Sequence, residues 1–192
     1  MPNSQQPATP AISSPDNILG FWFSARVRPL WFKSTSEFDA EVRQRFAGTW
    51  QAAQRGELGA WEDSASGALA LVIVLDQFPL NMYRGRPESF ATEAAARDVA
   101  RRAIARGFDG ALDSSRRVFL YLPFMHSEDT ADQDYSVQLF AQPGMEDSLK
   151  WAQHHRDIVR RFGRFPHRNA LLGRVSSAAE IAYLESEAAY HG

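Results

Sequence analysis

The stretch Ala68-Leu69-Ala70-Leu71-Val72-Ile73-Val74-Leu75 decides the fold class. Its eight apolar side chains have no polar face, so the segment is buried all round in whichever secondary structure it adopts. Val72-Ile73-Val74 would suit a strand, because β-branched side chains pack well on a pleated surface. A strand needs a partner, however, and no second segment of similar strength joins period-2 alternation to a hairpin turn. The run is therefore the central helix of an all-α protein. Eight helical residues cover about 12 Å, less than half of a bilayer's hydrocarbon core.

Working outward, the spacing predicts helix after helix. Ser36 opens one whose Phe38, Val42, Phe46 and Trp50 recur at four-residue steps on a single face. Ser14-Pro15-Asp16 is a start signal, with Pro at the first helical position and an acid beside it. Downstream, Glu93–Arg97 and Asp98–Arg102 form i,i+4 pairs in the favourable order on an Ala-rich helix that Gly107 stops. Further helices are expected near 115–126, 128–140, 145–162 and 177–190, the last opened by a capping-box pattern in Ser177 and Glu180. About eight helices result. No linker rich in Gly or Ser divides the chain, so residues 15–192 form one all-helical domain behind a disordered N-terminal tail at residues 1–14. That tail has neither the cationic start nor the apolar stretch of a signal peptide, which points to a soluble, cytoplasmic protein.

Composition narrows the chemistry. The 192 residues carry 21 Lys and Arg against 23 Asp and Glu, a net charge of −2, without the basic footprint of a nucleic-acid binder. The absence of Cys excludes disulfides, thiol nucleophiles and Cys-bound zinc or iron–sulfur clusters. No Gly-x-Gly, HExxH or GxSxG occurs, and neither Lys33 nor Lys150 follows a glycine, so dinucleotide, zincin, hydrolase-elbow and P-loop signatures are missing. No cofactor is implied. No structural metal is expected either, since His126, His154, His155 and His167 lack a standard ligand spacing.

Polar residues fall where apolar ones belong. On the helix at 145–162, with Trp151 as zero, Ile158, Phe162, Val159 and Ala152 mark an apolar arc that also contains His155 at about 40° and Arg156 at about 140°. A buried Arg is costly unless it meets a carboxylate or carbonyls. His126 leaves the apolar stretch 118–125 and begins a polar run with Glu128, Asp129, Asp132 and Gln133. Glu128 and Asp129 also suit an ordinary helix start. Asp76 and Gln77 follow the central run, and an acid at a helix C-terminus faces the negative end of the dipole. Arg84 is the nearest cation, so a buried Asp76–Arg84 pair is expected. Gly163 ends a helix and Pro166 blocks its resumption, which leaves Arg164, His167, Arg168 and Asn169 on a loop.

These segments carry a resemblance. Leu75-Asp76-Gln77-Phe78-Pro79 through Tyr83-Arg84-Gly85 resembles one signature of the bacterial domain of unknown function 924 family. So do Tyr121-Leu122-Pro123-Phe124-Met125-His126-Ser127-Glu128-Asp129 with Asp132-Gln133, His155-Arg156-Asp157, and the run from Arg164 to Asn169. Phe21-Trp22-Phe23, Trp31-Phe32 and Phe38-Asp39 fit as well. The resemblance implies an α-α superhelix similar to tetratricopeptide-type helical hairpins, and no established activity, substrate or cofactor.

Three functions compete. In the preferred one, Arg84, Arg156, Arg164 and Arg168 with His126, His155 and His167 line a site for a carboxylate- or phosphate-bearing ligand, with Asp76, Gln77, Glu128, Asp129, Asp132, Gln133 and Asn169 nearby. His126, Glu128, His155, Arg156, Arg164 and His167 are expected to converge on one cavity. The second is an enzyme using His and carboxylates for hydrolytic or acid–base chemistry, metal-assisted if His126, Glu128, Asp129 and His155 meet. The third is a helical scaffold or protein-interaction module whose polar network only fixes helix packing. The partner is thus a small anionic ligand or a peptide, with no nucleic acid and no membrane.

Overall fold

The computed structural model describes residues 12–190, and those residues contain eight helices and no strand. Helix α1 (Pro15–Trp22) begins at the Ser-Pro-Asp signal, where the Ser14 side chain accepts from the Asn17 amide. The Ser13 N–H donates to Thr49 Oγ1 at 2.9 Å, so Ser13 and Ser14, assigned by the sequence to the tail, are tied to the body. Residues 1–11 of that tail lie outside the described residues. Helix α2 (Ser36–Gln54) is capped by Thr35 and buries Phe38, Val42, Phe46 and Trp50 along one face. The rings of α1 and α2 meet in an aromatic centre. Phe46 stacks on Phe78 at 4.7 Å, and Trp22 meets Phe78 and Phe119 edge-on at 5.6 and 5.7 Å.

Helix α3 (Ala65–Met82) contains the apolar run, and every residue from 68 to 75 is buried. At 18 residues it is long and apolar enough to cross a membrane by composition alone. Here its faces are covered by neighbouring helices, as a core helix requires. It passes so close to the preceding turn that a Cβ on Gly67 would sit 2.1 Å from the Trp61 carbonyl oxygen. Residues Ile73–Gln77 widen into a π turn, in which the Phe78 N–H bonds the Ile73 carbonyl. Asp76 and Gln77 therefore do not stand at a helix exit, as the sequence suggests. The helix runs through them to Met82. Pro79 has no N–H to offer the Leu75 carbonyl, and the Thr92 hydroxyl takes that place while accepting from Trp50 Nε1 at 3.1 Å.

Helix α4 (Glu93–Ala105) ends before Gly107, whose φ of 73° gives the left-handed turn. The i,i+4 pairs expected on it do not form. Glu93 turns inward to Arg168, Arg97 reaches Asp132 and Arg102 reaches Glu62. Helices α5 (Ser114–Met125), α6 (Thr130–Phe140) and α7 (Glu146–Phe162) pack as consecutive neighbours, with Gly163 closing α7 in the left-handed region. The capping box of Ser177 and Glu180 starts α8 (Ala178–Leu184). That helix stops six residues short of the expected Tyr190. Ser186 Oγ donates to the Tyr183 carbonyl, and the Tyr190 N–H donates to the Tyr183 hydroxyl at 2.9 Å. The turn carries the Tyr190 ring back against α7.

Candidate functional site

The π turn of α3, the C-terminal end of α5, the inner face of α7 and the loop after Gly163 enclose a cavity of about 640 Å³. That volume suits a small organic molecule. Its walls are aromatic, with Phe165 and Tyr190 inside and Phe32 and Trp151 at the rim, 72% and 54% exposed. Its polar groups come from three places.

The first is an Asp–His pair. His126 caps the C-terminus of α5, and its Nδ1 lies 2.9 Å from Asp76 Oδ1. Asp76 is fully buried, and its other oxygen accepts from Gln77 Nε2 at 2.6 Å. Burial works against the imidazolium, but Asp76 and, behind it, Glu93 outweigh that and raise the His126 pKa above the ordinary histidine value. With Nδ1 on Asp76, the opposite edge of the ring carries Nε2 into the cavity wall.

The second is Arg168, in the turn Pro166–Arg168. Its guanidinium lies over the rings of Phe90 and Phe165 at 4.4 and 4.8 Å, and Nη1 donates to Glu93 Oε2 at 3.0 Å. Arg168 Nε and Glu93 Oε1 are buried without a partner among the described residues. Burial pushes the Glu93 carboxyl up, and Arg168 offsets this only in part.

The third is His155, on the buried line of α7 formed by Ala152, His155, Ile158 and Val159. Its Nδ1 lies 2.8 Å from the Trp151 carbonyl oxygen, which can only accept, so Nδ1 carries the hydrogen. Burial pushes this imidazole's pKa down to about 3, against the smaller opposing pull of that carbonyl. The ring is therefore neutral, with a lone pair on Nε2.

Of the residues singled out in the sequence, Gln77, Arg84, His126, His155, His167 and Arg168 line the cavity, and Asp76 stands behind His126. The expected Asp76–Arg84 pair does not form. His126 and Gln77 occupy the Asp76 oxygens, while Arg84, beyond the end of α3, donates from Nε to Asp39 Oδ2 at 2.7 Å. Glu128, Arg164 and Asn169 lie outside the lining, in a network with Arg174 and Glu180. Arg174 grips both Glu128 oxygens and Asn169 Oδ1, Arg164 grips both Glu180 oxygens, and the Phe165 N–H donates to Glu128. Burial disfavours the Glu128 carboxylate, yet Arg174 and that amide hold it below the usual range. Asp129 caps α6, Asp132 binds Arg97 and Arg101, and Gln133 Nε2 ties the Met125 and Ser127 carbonyls. Arg156 bonds Asp157 at the edge of the buried face, because Trp151 sits at the rim and the true apolar line of α7 is centred further round. Among the described residues no group of three or more His, Asp or Glu is arranged to hold a metal ion. Sequence reasoning missed Glu93, whose inward turn the local i,i+4 pattern concealed, and Arg174, for which no local signal exists.

Among curated proteins none matches the chain. A solved structure of a protein of unknown function from Agrobacterium tumefaciens is 43% identical, with a TM-score of 0.85 over 89% of this chain and 96% of that one. Residues 18–188 match the family described as bacterial protein of unknown function, DUF924, and the chain belongs to that family.

Proposed function

We propose that the cavity binds a small molecule that carries a carboxylate or phosphate on an apolar body. Arg168 is the observation that carries this reading. It is 6% exposed, held between two rings, and offers five donors of which one meets a carboxylate and Nε meets nothing described. The other singled-out arginines do not contribute, since Arg84, Arg156 and Arg164 each pair with Asp39, Asp157 and Glu180 respectively. The anion therefore meets Arg168 and His126, and its body meets Phe165, Tyr190, Trp151 and Phe32. The consecutive packing of α5, α6 and α7 supports the likeness to tetratricopeptide-type hairpins.

A second reading rests on the Asp76–His126 bond. A carboxylate that fixes Nδ1 and leaves Nε2 facing a cavity is also how a proton-transferring histidine is held.

A thermal-shift screen of carboxylates and phosphates tests the proposal, because a ligand at 100 times its Kd adds about 2.7 kcal/mol of stability. Stabilisation of the parent protein is expected, and its loss in an Arg168→Met/Glu93→Gln double variant that removes both buried charges together. If no anion stabilises the parent, or the double variant responds equally, the polar groups serve packing alone and the proposal fails.

A further inference from the structure

We infer that the anionic ligand of this cavity also bears a hydroxyl group, received by His155 Nε2. The inference rests on the proposed anion site and specifies what lies beside the anion.

His155 is 4% exposed, and aromatic rings crowd it. Tyr190 approaches edge-on at 4.4 Å, Phe165 at 5.5 Å and Trp151 at 6.4 Å, and the side left over faces the cavity. A phenylalanine would fill this space with no polar atom to satisfy. The imidazole instead brings two nitrogens, and the Trp151 carbonyl engages one of them. No described residue gives Nε2 a donor. With Nδ1–H committed to a carbonyl, the neutral ring offers Nε2 as an acceptor only. The Nε2 lone pair reaches the cavity, so its donor comes from what occupies the cavity, and a ligand that displaces solvent there must replace that hydrogen bond.

The charges nearby select the kind of donor. Arg168 and His126 belong to the same cavity lining, and both are donors suited to anionic oxygens. The Arg168 guanidinium disfavours an ammonium group in the same cavity, so a neutral hydroxyl suits Nε2 better. The Nε2 lone pair in turn repels a carboxylate, which sends the anion to the arginine side and the hydroxyl to the histidine side. The ligand class is a hydroxy acid or a hydroxylated phosphate ester.

Matched probes test this: 3-phenyllactate against 3-phenylpropionate, and glycerol 3-phosphate against propyl phosphate. Within each pair only hydroxyl substitution differs. In at least one pair the hydroxylated member is expected to bind about tenfold tighter or more, as in sites built to bond a hydroxyl. His155→Phe should erase that preference, so that the two members of the pair bind the variant alike. In the unsubstituted protein, the ¹⁵N resonance of His155 Nε2 should shift with the hydroxylated member and stay in place with the other, a readout that needs no variant. Equal affinity within both pairs, a preference that survives His155→Phe, or an unmoved Nε2 resonance overturns the inference while leaving the anion site intact. If neither member of either pair binds, the anion site and this inference fall together.

Discussion

His155 and His126 stand in the same cavity wall yet their pKa values are driven in opposite directions, and the difference is local. His155 has rings and a backbone carbonyl around it, whereas His126 has a buried carboxylate at 2.9 Å. Since the folded-state pKa of His155 lies near 3 and its unfolded value is about 6.5, the unfolded chain binds the extra proton in between. Stability from this residue is complete above about pH 6.5 and declines as pH falls towards 3, by about 1.4 kcal/mol per unit. For His126 the sign reverses. Its raised pKa stabilises the fold below the ordinary histidine value, and that contribution fades as pH rises through the folded one. Histidine ¹⁵N spectra should show His155 neutral at pH 5 and His126 titrating above 6.5, with Asp76→Asn lowering the latter midpoint. A His155 midpoint close to 6.5 would contradict the burial argument. Gln77 and Arg168 show the same principle in reverse, since neither residue type announces burial in a sequence.

At the scale of elements, the decisive feature is the π turn in α3. One extra residue in a helical turn rotates everything after it by about 100°. Asp76 lies inside that turn and meets His126, and Pro79 just beyond it leaves the Leu75 carbonyl to Thr92. Thr92 also accepts from Trp50, so a single hydroxyl joins α2, α3 and the start of α4. Thr92→Val keeps the shape and removes both bonds, which strands a buried carbonyl and an indole N–H. Urea unfolding should show a loss of about 1–3 kcal/mol, with Thr92→Ser close to the parent. A Val variant as stable as the parent, with the loss appearing in Ser instead, would mean that the methyl group, rather than the hydroxyl, matters there. The brevity of α8 has a similar origin. Residues 185–188 have no face to bury, and Tyr183 draws Tyr190 back instead.

Across the whole molecule, the network of Glu128, Arg174, Asn169, Glu180 and Arg164 fastens the C-terminal segment to the loop between α5 and α6. That segment supplies His167, Arg168 and Tyr190 to the cavity, so the network holds one wall in place without touching its contents. Its ion pairs are half-buried, and their worth lies between that of exposed and buried pairs. Arg174→Met should therefore cost little in global stability while speeding amide exchange in residues 163–184. Amides of α2 and α3 should keep the parent's rates. Uniform acceleration across the chain would show that the segment is not a separate opening unit.

The helical class, the start of α1 at Ser14, the capping box at Ser177, and the stops at Gly107 and Gly163 were all legible in the sequence. Each depends on side chains within a turn or two, or on a face repeated every four residues, and such signals survive without knowledge of the rest of the chain. The polar site was legible in outline only. His126 and His155 could be singled out as polar groups beside apolar runs and Arg168 as a loop residue, but their partners could not. Asp76 chose His126, fifty residues away, over nearby Arg84, and Glu93 chose Arg168 over Arg97 one turn along. A buried charge takes whichever counter-group the fold brings within about 3 Å. Tertiary packing and one widened turn made that choice.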